Sequence, residues 1–173
     1  MHETPEDLAA VQELLDRSHA AGGPHRRSII TPERRLSAAE VADRLQGMCL
    51  LVVATATSDG RPLTAPEDGI FYRGAFHFSS GSDSVKLRHL RQRPAVSATH
   101  LPGEELCVTV HGRAQFLDLA EDRHAGFRQS VVDIYVPRYG EAWAEEFLEG
   151  LGIYVRIAAE KMFTFHMPPE MLS

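Results

Sequence analysis

Three tight turns decide what the middle of this chain can fold into. Ser58-Asp59-Gly60, Arg73-Gly74 and Pro102-Gly103 each separate two runs of strand-forming residues. Connections this short join only antiparallel neighbours, because a parallel crossover needs a dozen or more residues. The stretch from Met48 to Thr57 is continuously apolar and β-branched, the pattern of a buried strand. Residues 61–72 and 75–79 continue it into a three-strand meander, with Gly74 free to take the positive φ of a tight hairpin. Residues 95–101 and 105–117 read as two further strands and 154–165 as the last, and one helix, 82–92, falls between the third and fourth. A doubly wound sheet is thereby excluded. The expected fold is mainly β with flanking helices (α+β), built on a six-stranded antiparallel barrel whose closure removes exposed edges.

The flanks are helical. Residues 5–20 carry Pro5 in a first turn with Glu6 and Asp7, an apolar stripe of Leu8, Val11, Leu14 and Leu15, and a stop at Gly22-Gly23-Pro24. A basic, irregular connector is expected up to Arg35. Ser37 and Glu40 then form a capping box for a short helix ending near Gly47. Residues 119–149 carry one or two helices, in which Trp143 and Phe147 stand at i, i+4 and read as packing rather than as a substrate stack. The 173 residues, 43% of them hydrophobic, bury an adequate core without metal or disulfide staples.

Cys49 and Cys107 are far apart, outside any C-x-x-C pattern and within apolar stretches, so both read as reduced, buried thiols and the compartment as cytoplasmic. No apolar run reaches the length of a membrane span, and the acidic start, Met1-His2-Glu3-Thr4-Pro5-Glu6-Asp7, differs from a signal peptide. The net charge of −6 argues against nucleic acid as a partner. Nine histidines show neither H-E-x-x-H nor an i, i+4 pair, so no metal site is expected. His111 shares a strand face with Cys107 and Thr109, either as a satisfied surface histidine or at the border of a ligand or subunit. No nucleophile elbow supports hydrolase chemistry.

The chemistry concentrates in residues 78–93, Phe-Ser-Ser-Gly-Ser-Asp-Ser-Val-Lys-Leu-Arg-His-Leu-Arg-Gln-Arg. A strand end, a hydroxyl-rich loop and a basic helix start suit phosphate, since a helix N-terminus offers unpaired N–H groups. Ser79, Ser80, Ser82 and Ser84 add donors and Lys86 a full charge. Lys86, His89 and Arg93 share one helical face, while Leu87 and Leu90 supply an apolar face. The competing reading is a solvated helix capped by a serine.

In order and in sequence, this region resembles the flavin-binding split-barrel family, the pyridoxamine 5'-phosphate oxidase-like proteins and their deazaflavin-using relatives. Residues 53–66 are similar to the family's first hairpin, Phe76-His77-Phe78-Ser79-Ser80-Gly81 to its third strand, and Ser84-Val85-Lys86 to its phosphate-binding turn. Residues 90–97 resemble its helix exit, Val108 to Ala114 its long fifth strand ending in Gly-x-Ala, and 152–157 with 162–165 its last strand. The resemblance implies a Greek-key split barrel over 37–173 that binds a cofactor, preceded by an N-terminal helical extension, 1–36. It implies a homodimer with the cofactor between subunits. It implies FMN or, alternatively, a deazaflavin coenzyme of the F-420 type, with the phosphate on Lys86, Ser84, Ser79 and Ser80 and the ring against Thr64, Ala65 and Pro66. For the deazaflavin's polyglutamate tail, Arg88, Arg91 and Arg93 offer cations. The implied activity is hydride transfer between the cofactor and a small organic substrate or nicotinamide; the alternative is a flavin, haem or ligand carrier without turnover. Two departures stand out. Val85 replaces an arginine common at this turn, and Glu67-Asp68 replaces an apolar or aromatic pair, reading either as carboxylates near the cofactor or as a turn or solvent-facing bulge before Gly69.

Overall fold

The computed structural model describes residues 2–150, 153–167 and 171, the side chains of 147–150 excepted. The elements run α1 (Pro5–Ala20), α2 (Pro24–Ile29), α3 (Ala38–Arg44), β1 (Met48–Ala56), β2 (Pro62–Tyr72), β3 (Ala75–Ser80), α4 (Val85–Gln92), β4 (Ala95–His100), β5 (Leu106–Leu117), α5 (Ala125–Tyr139), α6 (Glu141–Gly150) and β6 (Ile153–His166). The six strands close into an antiparallel barrel in the order β1-β2-β3-β6-β5-β4. Leu51 and Val53 of β1, Phe78 of β3 and Val155 and Ile157 of β6 fill it.

The turns act as their sequences require. Arg73 and Gly74 both take positive φ, 49° and 75°, which matches the right-handed twist of the flanking strands. The Arg73 guanidinium pairs with Asp7, tying the hairpin to α1. Although burial opposes it, hydrogen bonding by Thr4 and Arg73 holds the Asp7 carboxyl below its usual range. β5 carries a bulge between His111 and Gly112. A Cβ on Gly112 would sit 2.1 Å from the Ala158 carbonyl oxygen, so the two strands approach only because that residue is glycine.

Helix α1 packs Val11, Leu14 and Leu15 into the same core as the barrel. Its Ser18 hydroxyl accepts from the Met162 amide at 3.0 Å, and the Thr164 hydroxyl accepts from the Leu36 amide at 3.0 Å. A second cluster, Ile70, Leu119, Phe127, Val131, Tyr135 and Tyr154, lies under α5 on the outer side of β2, β3 and β6. Trp143 packs against Tyr135 and Tyr139 there; Phe147 lies outside the described side chains.

Several boundaries differ from the sequence reading. The connector expected to be irregular contains α2, because Pro24 enters as its first residue with φ already helical, and a 3-10 turn at Pro32–Arg34. Helix α4 begins at Val85 rather than 82, because the Ser84 hydroxyl caps it by accepting from the Leu87 amide. Residues 125–150 divide into two helices at Gly140, whose φ of 87° ends α5. Cys49 is buried, whereas Cys107 is only half-buried, on the outer face of β5 beside Thr109.

Candidate functional site

The loop from β3 into α4 gathers three of the nominated side chains. Gly81 accepts from the Ser84 amide at 2.9 Å, closing the turn, and the Ser80 hydroxyl donates to the Ser84 hydroxyl at 3.1 Å. Lys86 follows on the first turn of α4. Its ammonium pairs with the Glu67 carboxylate of β2, and the two side chains are only 11% and 17% exposed. Burial draws the Lys86 ammonium below the ordinary lysine range.

Glu67 is therefore neither in a turn nor on a solvent-facing bulge. It lies inside β2 opposite Leu51, on the same face as Ala65, Gly69 and Phe71. That register turns it toward α4 and turns Asp68 to the other face, where its charge pushes up the phenols of Tyr135 and Tyr154 after the larger effect of their burial. Gly69 is needed beside it, since a Cβ there would come 2.4 Å from Leu51 Cδ1.

The remaining nominated residues do not share this wall. Ser79 faces outward and hydrogen-bonds Tyr154. Thr64 and Pro66 lie opposite Ala54 and Val52 on the outer face of the β1–β2 ladder, and Ala65 lies opposite Val53 on the inner one. On that outer face Leu50 and Val52 are 54% and 47% exposed.

The basic stripe of α4 faces the barrel. Lys86 meets Glu67, His89 Nδ1 lies 3.2 Å from the Thr55 hydroxyl, and Arg93 Nε donates to the Ala56 carbonyl at 3.2 Å. A groove of about 490 Å³ along α4 is lined by Arg61, Arg88 and Arg93 with Val85 and the Thr57–Asp59 turn. Arg61 pairs with Asp59 at 3.0 Å, while the Arg88 side chain has no hydrogen bond or ion pair among the described residues. Arg91 turns elsewhere, donating to the Ser82 carbonyl and covering Phe116. Sequence reasoning missed Arg61 as a groove residue. Its only signal was its place at the end of the β1–β2 turn. Among the described residues no group of three or more His, Cys, Asp or Glu side chains could hold a metal ion, and no helix is long and apolar enough to cross a membrane.

A family model described as pyridoxamine 5'-phosphate oxidase matches residues 37–161, a span that takes in β1 to β5, α4 and the first part of β6. The chain belongs to the pyridoxamine 5'-phosphate oxidase family. No curated protein sequence matches it. Solved structures share the fold of this family member at low identity. A conserved hypothetical protein from Mycobacterium tuberculosis aligns with TM-score 0.63 and 19% identity over 78% of this chain and 88% of that one. The heme storage protein HutZ from Vibrio cholerae aligns with TM-score 0.60 and 16% identity over 73% and 93%. A FAD-binding protein from Mesorhizobium loti aligns with TM-score 0.54 and 23% identity over 76% and 93%.

Proposed function

We propose that this member of the pyridoxamine 5'-phosphate oxidase family binds flavin mononucleotide beside α4 and serves as an oxidoreductase acting on a small organic substrate or nicotinamide. One observation carries the reading: Arg61, Arg88 and Arg93 converge on one open groove next to the hydroxyl-rich turn of Ser80 and Ser84. These residues fit a phosphate. Arg88 offers unspent donors, Arg61 can exchange Asp59 for a ligand oxygen, and Ser80 and Ser84 bring hydroxyls. Lys86 serves the phosphate only in exchange for Glu67, so the carboxylate sets how available the ammonium is. Bound flavin would supply the hydride chemistry at its ring. The chain's own work is to hold the phosphate and to position the ring against Thr64 and Pro66, with Ala65 fixing the strand between them.

The exposed pair Leu50 and Val52, on the same outer face as Thr64 and Pro66, supports a homodimer that covers this face and encloses the ring. The diversion of Arg91 shortens the cationic run available to a polyglutamate tail and favours the mononucleotide over the deazaflavin coenzyme.

Fluorescence titration with FMN and with the deazaflavin coenzyme tests the reading. FMN binding at micromolar concentration, weakened about tenfold or more in Arg88→Ala, supports the site. Binding of neither, or binding indifferent to Arg88→Ala, removes it. Reduction of bound flavin by nicotinamide and reoxidation by an acceptor distinguish an enzyme from a carrier that binds flavin or haem without turnover.

A further inference from the structure

Away from α4, the N-terminal helices meet the outer face of β5 and β6 and leave a cleft of about 270 Å³ between them. Arg26 of α2, His111 of β5 and Lys161 of β6 line it, together with Ser18 and Phe163. No aspartate or glutamate does. The Arg26 guanidinium lies 3.7 Å from the Phe163 ring centroid, which orients its plane without using any of its five N–H donors. Neither the Arg26 nor the Lys161 side chain has a hydrogen bond or ion pair among the described residues. His111 is pinned through Nδ1 to the Ser97 hydroxyl at 2.8 Å. Burial first, and then the charges of Arg26 and Lys161, hold its imidazole below the usual histidine range. In a chain of net charge −6, like charges gathered without a counter-charge repel one another, and an anion between them relieves that repulsion.

We propose that this cleft binds a small organic polyanion of the phosphate-ester or polycarboxylate class, clamped between Arg26 and Lys161. The volume corresponds to about nine waters at roughly 30 Å³ each, enough for a short phosphorylated or tricarboxylic molecule. The cleft shares no lining residue with the α4 groove. Arg26 contributes a planar fork and Lys161 a mobile point charge, so the pair accommodates either headgroup.

The test titrates the full chain with inorganic pyrophosphate and with citrate at 0.15 M salt, reading the imidazole resonances of His111. Saturable shifts are expected, with His111 titrating at higher pH when the anion is bound, because a neighbouring negative charge favours imidazolium. Tighter pyrophosphate binding assigns the phosphate class, and tighter citrate binding the polycarboxylate class. Arg26→Ala and Lys161→Ala should each weaken binding about tenfold or more. Lys161 is exposed and its replacement leaves the Phe163 stack in place. Arg88→Ala separates the two sites, since it removes α4 binding and should leave the His111 response intact. No His111 response to either anion at millimolar concentration, a response unchanged in Lys161→Ala, or one lost in Arg88→Ala overturns the proposal.

Discussion

Removing Lys86 should destabilise the fold before it affects any ligand. The Lys86 and Glu67 side chains are 11% and 17% exposed, so most of their hydration is lost and their mutual attraction offsets that loss. Deleting one partner of a buried pair typically costs roughly 3–5 kcal/mol, because the survivor stays desolvated and unpaired. Partial exposure places Lys86→Ala at the lower end, about 3 kcal/mol, or a fall in Tm of about 6–12 °C for a chain of this length. Glu67→Ala should cost about half as much, since the long stem of Lys86 lets its head reach water while a carboxylate on a strand cannot. The double variant should lose about 2.5 kcal/mol, about 2 kcal/mol less than the two single losses together, and that difference is the coupling read from a double-mutant cycle. Urea unfolding, followed in parallel by far-UV circular dichroism and Trp143 fluorescence, measures all four proteins. A coupling below about 0.5 kcal/mol would place the pair among exposed surface bridges and refute the reasoning.

Gly112→Ala should cost about 2–3 kcal/mol by the same assay, since the new Cβ meets backbone at Ala158 and Ala159 on the paired strand; an unchanged midpoint would mean that the bulge is not held as described. At pH 8 a thiol reagent should modify Cys107 alone in the native protein and both cysteines after denaturation, because burial pushes the Cys49 thiol up to about 11; two rapid native equivalents would contradict this. His77 is buried among Tyr72 and Phe127, and desolvation lowers its pKa to about 3. The unfolded chain thus binds a proton that the native state refuses, and stability should fall as pH drops from about 6.5 toward 3, by roughly 4 kcal/mol in total. His77→Phe should flatten that limb, and a limb of unchanged slope would show that other groups cause it.

The barrel was legible because its signals are local. Ser58-Asp59-Gly60 and Arg73-Gly74 fix antiparallel neighbours by their length, and the apolar run of β1 marks an interior strand whatever it pairs with. The helix boundaries were less so. Ser82, Asp83 and Ser84 are all competent caps, and only the contact between Ser84 and the Leu87 amide selects the third. Residues 24–35 read as irregular because two prolines and few apolar residues give no stripe, yet Pro24 and Pro32 each open a short helical turn. Beyond them the Leu36 amide donates to the Thr164 hydroxyl, which fixes where the connector rejoins the barrel.

The site was harder for a different reason. Lys86, His89 and Arg93 share a helical face, and that spacing is equally consistent with a ligand face and with a docking face. What decides between them lies 19 to 37 residues away in sequence, in Glu67 and the last turns of β1, Thr55 and Ala56. Period-2 alternation in β2 directs Glu67 inward with Ala65, but a pattern of alternating faces does not say which helix crosses the barrel end there. Arg93 of this stripe borders the groove with Nε committed to the Ala56 carbonyl and Nη1 to Gln92, so the cation with unspent side-chain donors lies off the stripe. Arg88, two residues beyond Lys86, is turned by about 200° around the helix at roughly 100° per residue and so points away from the barrel. The residue with the strongest motif resemblance is thus the one already neutralised, and the free charge of the groove sits on an arginine that the stripe's own periodicity sets aside.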